Sequence, residues 1–569
     1  MVQQKAAART WCAESGDRGN SPRLFAFEKQ TKEERRTGLL NAQAYPDGGL
    51  PRYTDEEKRD TVATMSSDSN VYDSVPYPSL AFVQTHPDRL AVMATLFGLQ
   101  PTPVEHCRVL ELGCGNGSNL IPMAYGLPRS QFVGVDLAAK PVQIAQGRIS
   151  RLELKNIRIQ AMDLMEIEPD FGKFDYIIAH GVFAWVPEHV QQKILSICSA
   201  NLSANGVAFV SYNTNPAGHV RQTLREMVQF HEGRTGRPTE GSGDRVKMVR
   251  DFLEAILKAT DAKTPWKALL QEELKLTFSR DENVVYHDDL AEYFLPVSFA
   301  KFASRAGRCG LQFLSEAQIT DVLAPELSEE GLEALNRMAE GDVIALQQYL
   351  DFARYRKFRQ TLLCHAEAPL RRDGVLERLA GLLVASPMKK SVEKPDGSVE
   401  FINSRGAGTI ETNNPAIIAI LRRLEEIWPH GARFKDLVST SLPLVQEAQR
   451  GEAVGSLAQV VLKLAASMLA DVRTYRLPFP DGIGEKPTAS LLARLIVEEG
   501  RMVTTLLHTH VNIEDEQGRK FLQLLDGTRD RQALAAALAG DLPHSSPETI
   551  LKQVDGNLIN FHQMGLLVG

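Results

Sequence analysis

Hydrophobic residues between positions 85 and 216 alternate between short apolar runs and positions at helical spacing. The runs that predict strands cover Arg108–Leu112, 132–137, 157–162, Phe174–Ala179 and 206–212. The segments between these runs have apolar residues three and four positions apart and predict helices. Strands that alternate with helices imply right-handed βαβ units on a parallel sheet. The pattern therefore predicts a doubly wound α/β core within residues 69–216.

The chain before this core has two different parts. Residues 1–68 are polar, rich in Arg, Gly, Lys and Glu, and have no sustained period of 2 or 3.6. That composition predicts a disordered tail, and Met65 is an alternative biological start. Further on, a helix is predicted to open at Pro87, after a cap at Thr85 or His86.

The α/β pattern breaks after Pro216. Residues 217–290 predict a helical insertion, with amphipathic helices joined by a Gly- and Pro-rich stretch. Residues 291–370 contain the pattern of a helix, a glycine turn and a strand. We expect this segment to return the chain to the sheet as its last helix and edge strand.

The rest of the chain predicts small helical units with β-wings. Within 371–482, Pro395-Asp396-Gly397 is a hairpin signal, and Asn414 caps a helix. A Pro/Gly linker precedes the last unit, 483–569. The order of helices and wings predicts α+β winged-helix-like domains.

Composition excludes several classes of protein. The chain is 43% hydrophobic and 24% charged, with a formal net charge of −7, which argues against a nucleic-acid binder with a broad basic face. No apolar run is long enough for a membrane-spanning helix, and the N-terminus lacks the apolar stretch of a secretory signal. The six cysteines are scattered without a C-x-x-C pair, so we expect no disulfide framework or zinc site. These features predict a cytoplasmic protein without metal.

The strongest chemical signal is the sequence VLELGCGNG at 109–117. A strand runs into a glycine-rich turn at a helix N-terminus, where glycines allow positive φ and let a ligand approach the backbone. The free N–H groups of the helix then face an anionic or polar ligand. An NAD site favours G-x-G-x-x-G, whereas this loop has glycines at every second position and an acid before them.

This variant resembles motif I of class I S-adenosylmethionine (SAM)-dependent methyltransferases. The resemblance implies a Rossmann-like core and SAM as the cofactor. In that family the loop holds the methionine portion, and the acid two residues before the first glycine helps to hold its amino group. The implied cofactor-binding residues in this loop are Glu111, Gly113, Cys114, Gly115, Gly117 and Asn119.

Acidic residues after the next two strands extend the match. Asp136 ends a strand about 20 residues after the glycines, where an acid binds ribose hydroxyls in Rossmann-type sites, and Leu137 would pack on the adenine. Asp163, with Leu164, occupies the position that caps the adenine amino group in the family. The alternative role for Asp136 is a simple helix cap.

The stretch FDYIIAHGVFAWVP at 174–187 resembles the family's fourth strand and the loop that borders the methyl group. Its His180 is a further cofactor candidate, although packing is the alternative for aromatic residues after a buried strand. Spacing singles out no general base. The candidate catalytic residues around the methyl group are Tyr72, Tyr77, His180, Trp185, Tyr212 and Asn213.

Three further stretches resemble a bacterial subfamily that carries a methyltransferase regulatory domain: YDSVPYPSLAFVQTHPDRL at 72–90, YHDDLAEYFLP at 286–296 and FARYRKFRQTLLC at 352–364. Its best-known members are similar to rickettsial protein-lysine methyltransferases that modify outer membrane proteins. The resemblance implies a helical insertion that can dimerise and appended domains that enclose a large cavity. It implies a monomer or homodimer that modifies a protein substrate, such as an outer membrane protein before export.

The leading hypothesis is therefore lysine N-methylation by in-line displacement. A small-molecule methyltransferase with regulatory appended domains is the first alternative, and a winged-helix nucleic-acid-binding protein is the second. His508 and His510 alternate in a predicted strand near Glu514, but two ligands on a strand do not make a metal site, and we expect none.

Overall fold

The fold is taken from a computed structural model of the chain. It describes residues 12–13, 71–75, 77–78, 80–236, 242–323, 327–404, 408–540 and 546–569. Of the predicted N-terminal tail, residues 1–68, the structure describes only Cys12–Ala13. These two residues form a short strand parallel to Thr409–Thr412. The expectation for the rest of the tail lies outside the described residues.

Seven strands in the described part of the chain form one sheet. In chain order they are β1 (Arg108–Leu112), β2 (Gln131–Asp136), β3 (Ile157–Ala161), β4 (Phe174–Ala179), β5 (Leu202–Asn213), β6 (Leu311–Glu316) and β7 (Phe358–His365). The spatial order is β3-β2-β1-β4-β5-β7-β6. Strands β1 to β5 are parallel, and β7 is antiparallel to both of its neighbours. The prediction of a mainly parallel α/β core is confirmed.

Helices cover both faces of this sheet. They are Pro87–Leu96, Leu120–Gly126, Ala139–Arg151, Glu188–Ala200 and Phe299–Arg308. Neighbouring residues of β1 pack into different clusters, because successive side chains of a strand point to opposite faces. Val109 lies in the cluster with Pro87–Leu96, and Leu110 lies in the cluster with Phe302. Both residues are fully buried, as expected for a strand covered on two sides.

After the insertion the chain returns to the sheet with two strands, of which the sequence predicted one. β6 is the edge strand, as expected. β7 lies between β5 and β6, and the sequence did not predict it because Arg359 interrupts its apolar pattern. Arg359 is fully buried and pairs with Glu316 of β6 at 2.6 Å and with Asp351 at 2.8 Å. Burial alone would raise the pKa of Glu316, but Arg359 and Arg356 hold it below its ordinary value.

Four helices follow β5 in the described chain, where the sequence predicted an insertion. They are Ala217–Thr235, Ser242–Ala259, Pro265–Ser279 and Glu282–Asp289. They share an apolar cluster that includes Leu224, Leu253 and Leu274. Two more helices, Glu329–Ala339 and Val343–Arg354, lead into β7.

The C-terminal third combines short strands with helices. Its strands are Leu383–Ala385, Met388–Glu393, Val399–Asn403, Thr409–Thr412, Ala432–Arg433, Asp471–Arg473, Met502–Thr504 and His510–Asn512. Its longer helices are Pro415–Ile427, Phe434–Ser441, Arg450–Ala466, Leu491–Glu499, Glu516–Leu524, Arg531–Ala539 and Pro547–Gln563. Asn414 accepts from the N–H groups of Ala416 and Ile417, as its predicted capping role requires. None of the helices in the described ranges is long and apolar enough to cross a membrane.

Replacing Arg359 with methionine is expected to lower the free energy of unfolding by about 3–5 kcal/mol, because two buried carboxylates would lose the cation that lies nearest to them. Urea unfolding would measure the loss. Arg337→Met is the control, since Arg337 lies in an exposed ion pair with Glu333 and its loss should cost at most about 1 kcal/mol. Equal losses in the two variants would contradict the importance of the buried network.

Candidate functional site

A cavity of about 900 Å³ opens at the carboxyl ends of the parallel strands. Ligands of doubly wound sheets bind at this edge, where the strand order reverses, here between β1 and β4. The cavity continues from the glycine loop to the helical insertion. Of the residues predicted from the sequence, it is lined by Tyr72, Tyr77, Glu111, Gly113, Cys114, Gly115, Asn119, Asp136, Leu137, Asp163, Leu164, His180, Trp185 and Asn213.

The glycine loop adopts the backbone that its sequence predicts. Gly113, Gly115 and Gly117 have φ of +73°, +51° and +72°. A Cβ on Gly113 would lie 2.4 Å from the Cγ2 of Val182, so no side chain fits there. The N–H groups of Gly113 and Cys114 both donate to the carbonyl of Val135, which fixes the loop over the end of β2.

Glu111 places a carboxylate in the wall of the cavity. Its side chain is 4% exposed, and its Oε1 accepts from the Nδ2 of Asn119 at 2.6 Å. Its Oε2 is buried and has no hydrogen-bond partner among the described residues. Burial raises the pKa of Glu111 to about 8, against the lowering effect of the bond from Asn119. A cationic group of a ligand would satisfy this oxygen, so the residues fit the ammonium of a methionine moiety.

Asp136 holds two backbone segments together at the end of β2. Its Oδ2 accepts from the N–H of Gly115 at 2.7 Å, and its Oδ1 accepts from the N–H of Ala138 at 2.9 Å. Ionised carboxylate oxygens have room for further donors, such as sugar hydroxyls. Leu137 beside it is 64% exposed, and Asp163 accepts from the N–H of Met165. An apolar surface between two carboxylates suits a nucleoside.

His180 lies where β4 ends. Its Nδ1 is 2.9 Å from the Oγ of Ser211, which also accepts from the N–H of Gly181. Burial lowers the pKa of His180 to about 4, so the imidazole is neutral at physiological pH. Trp185 packs against Phe294, with ring centroids 5.1 Å apart. These groups form an uncharged wall.

Tyr72 and Tyr77 close the cavity from the N-terminal side. The Tyr72 ring stacks on His287 at 4.3 Å, and the Tyr77 hydroxyl donates to Asp288 at 3.4 Å. Burial, with the charge of Asp288, raises the pKa of Tyr72 to about 12 and raises that of Tyr77 further. Both phenols therefore stay protonated. The contacts join two stretches, 72–90 and 286–296, that the sequence singled out by resemblance alone.

Two predicted residues do not line the cavity. The placement of Tyr212 around the methyl group is wrong: its side chain is 1% exposed, stacks on Phe302 at 4.2 Å and bonds to the hydroxyl of Thr361. Gly117 also lies outside the lining, and a Cβ there would lie 2.8 Å from Ile121 and Ile159. Gly117 thus allows the helix to pack on the sheet.

Sequence reasoning missed several lining residues from the insertion and β7, because only the folded chain brings them to the site. Arg221 lies over the rings of Trp185 and Phe294, 5.4 Å from each centroid. Its Nη2 also pairs with Asp289 at 3.0 Å. The missed lining residues include Phe82, Arg221, Arg225, Arg280, Phe294, Lys357 and Phe358. Those in 286–296 and 352–364 could have been found from the resemblance of these stretches.

Family models match three segments of the chain. A methyltransferase domain matches residues 103–260, a "predicted methyltransferase regulatory domain" matches 281–365, and a PKMT C-terminal winged-helix domain matches 485–556.

Proteins of Rickettsia are among those similar to this chain. The uncharacterized protein RP789 of Rickettsia prowazekii is 30% identical over 485 residues, which cover 83% of this chain and 86% of that protein. The structure of PKMT2 from Rickettsia typhi matches with a TM-score of 0.76 and 27% sequence identity. The match covers 87% of this chain and 100% of the PKMT2 chain. Another structure of PKMT2 is a complex with AdoHcy. The chain belongs to the class I SAM-dependent methyltransferases that combine a methyltransferase regulatory domain with a PKMT-type winged-helix domain.

Proposed function

We propose that this enzyme is a protein-lysine methyltransferase that transfers a methyl group from SAM to a lysine amine. The observation that carries the proposal is the continuous cavity from the cofactor loop to the helical insertion, lined by aromatic rings and carboxylates. PKMT denotes a protein-lysine methyltransferase, so the rickettsial relative supports the same acceptor.

The geometry of the loop supports a role for each cofactor-binding residue. Glu111 would hold the amino group of the methionine portion, and the glycine loop would surround that portion. Asp136 would accept from the ribose hydroxyls. Leu137, with Asp163 and Leu164, would enclose the adenine. The bound cofactor supplies an electrophilic methyl group on a sulfonium.

The acceptor must arrive as a neutral amine, because an ammonium has no lone pair. The free pKa of lysine is about 10.4, and burial beside a cationic sulfonium lowers it. His180, with a pKa of about 4, is a weak base, and Tyr72 and Tyr77 stay protonated. These side chains would therefore orient the amine and exclude water, and the proton would leave for solvent before transfer.

The wall opposite the cofactor suits a lysine side chain. Tyr77, Trp185 and Phe358 offer rings along which an aliphatic stem packs and over which a cation is attracted. Asp288 adds a carboxylate whose pKa is raised by burial, although Arg221 and Arg280 oppose the rise. A cationic chain end would thus lie among aromatic rings with a carboxylate in the same cavity.

Finer features of the proposal come from the resemblance. The substrate would be an outer membrane protein before export, modified in the cytoplasm by a monomer or homodimer.

Affinity for S-adenosylhomocysteine (SAH) is expected to rise up to about tenfold between pH 6 and pH 7, because the ammonium of SAH needs the ionised form of Glu111. The pKa of about 8 puts the carboxyl largely in its protonated form over this range. Titration calorimetry at several pH values would measure the rise, and at pH 7 it should also detect proton release.

Glu111→Gln should bind SAH more weakly, and its affinity should not vary with pH over the same range. An affinity that stays flat with pH in the unmodified chain would contradict the role of Glu111.

Asp136→Ala is expected to weaken SAH binding at least about tenfold, because the ribose hydroxyls and the Gly115 N–H would lose a charged acceptor. Asp526→Ala is the matched control, since Asp526 also accepts from a backbone N–H, that of Thr528, at a turn that does not line the cavity. The same calorimetry applies. Similar affinities of the two variants would argue that Asp136 is only a cap.

Incubation with radiolabelled SAM and a lysate of the host is expected to label a protein band. Peptide mapping should then find lysines heavier by one or more methylene groups. Gly115→Arg is the inactive control, because its side chain would fill the cavity from a position with φ of +51°. Label confined to small molecules would contradict a polypeptide acceptor and support the small-molecule alternative.

A further inference from the structure

A turn of the C-terminal region reaches the cofactor cavity. It joins the strands Met502–Thr504 and His510–Asn512 and carries His508. The φ of His508 is +57°, in the left-handed region that costs a non-glycine residue conformational energy. The side chain is 4% exposed, and its Nε2 lies 3.0 Å from the Oδ1 of Asn119, which lines the cavity.

The neighbours of Asn119 fix the direction of this hydrogen bond. Its Oδ1 accepts from the N–H of Phe82 at 2.9 Å, and its Nδ2 donates to the carboxylate of Glu111 at 2.6 Å. A flipped amide would oppose two donors at Phe82 and two acceptors at Glu111, so this orientation is required. His508 must therefore donate through a proton on Nε2. Burial, with His86 and His510 nearby, lowers the pKa of His508 well below its ordinary value, so the ring is neutral.

The same turn also holds the segment that covers the glycine loop. The Nε2 of His510 lies 2.9 Å from the backbone N and O of Ala81. The residues on either side of Ala81, Leu80 and Phe82, line the cavity. The ring of Phe82 stands edge-on to His180 at 4.2 Å. His508 and His510 thus contact two separate parts of the cavity wall, Asn119 and the segment around Ala81.

A helix of the same region is linked to the glycine loop through Arg148. Glu499, at the end of Leu491–Glu499, accepts from the Nη2 of Arg148 at 2.6 Å. The Nη1 of Arg148 donates to the hydroxyl of Ser118 at 3.0 Å and to the carbonyl of Asn116 at 3.3 Å. The C-terminal region therefore contacts residues 116–119 directly through His508 and indirectly, by way of Arg148, through Glu499.

We propose that His508 is a positioning residue for the cofactor. By donating to Asn119, together with the N–H of Phe82 and the hydroxyl of Thr85, it holds in place the amide that in turn holds the Glu111 carboxylate toward the amino group of SAM. The C-terminal winged-helix unit then completes the cofactor site in addition to contacting any substrate. This inference rests on the assignment of SAM as cofactor and is independent of the acceptor.

A purely structural role of His508 would affect stability and cofactor affinity differently. If His508 only docked one domain on another, its removal would lower stability and leave the affinity of the folded protein for cofactor unchanged. If it positions Asn119, affinity changes, and a residue that can donate from the same place restores it. Gln is such a residue, because its Nε2 is a donor at a similar distance from the backbone.

The experiment measures the Kd for SAH by titration calorimetry on the full chain, with melting temperature recorded for each variant. His508→Ala is expected to raise the Kd about tenfold, because Asn119 loses a buried donor. His508→Gln should stay within about threefold of the unmodified chain. Val554→Ala is the control for stability, since Val554 is buried in the core of the C-terminal unit and does not line the cavity.

A folded His508→Ala variant with unchanged Kd would overturn the proposal. So would a Val554→Ala variant that binds SAH as weakly as His508→Ala at a similar melting temperature, because the loss would then follow from stability alone. Failure of the unmodified chain to bind SAH would contradict the assignment of the cofactor itself. If the radiolabelling experiment gave labelled small molecules in place of labelled protein, the proposed acceptor would be wrong. The Kd values for SAH, and with them the role of His508, would be unaffected.

Discussion

A carboxylate buried at the end of β1 is the constraint around which the site is organised. Removing a charge from water is costly unless hydrogen bonds or an opposite charge compensate it. Glu111 receives one such bond, from Asn119, and keeps one oxygen without a partner in the described part of the chain. The glycine loop, the segment around Phe82 and the turn at His508 all meet at Asn119. The chain thus supplies a rigid amide for one oxygen and leaves the other for a cationic ligand.

The central sheet could be predicted because its signals are local. β1 and β4 have the predicted bounds, since their apolar runs are bounded by polar residues or glycine. β5 begins at Leu202, four residues earlier than predicted, because the polar residues Ser203 and Asn205 conceal the start of the strand. β7 was missed because the buried Arg359 depends on Glu316 and Asp351, which lie elsewhere in the chain.

The same distinction applies to the site. Residues of the loop and of the strand ends were predicted, because motif and position specify them. Tyr212 and Asn213 are adjacent, and successive residues of a strand face opposite sides. Which of the two faces the cavity depends on the helix with Phe302, and a single sequence does not reveal that packing. The parts of the site from the insertion and from the turn at His508 could not be predicted either, because they lie far from the loop in the sequence. His508 and Asn119, for example, are 389 positions apart.

The place of β7 in the sheet has a consequence for how the chain folds during synthesis. β5 pairs with β7 across a long separation, with 149 positions between Tyr212 and Thr361. Until β7 has left the ribosome, β5 presents an unpaired edge, the kind of surface that invites association with other chains. The helices of the insertion are made during this interval and have their own apolar cluster. The helical insertion is therefore able to form before the sheet is complete.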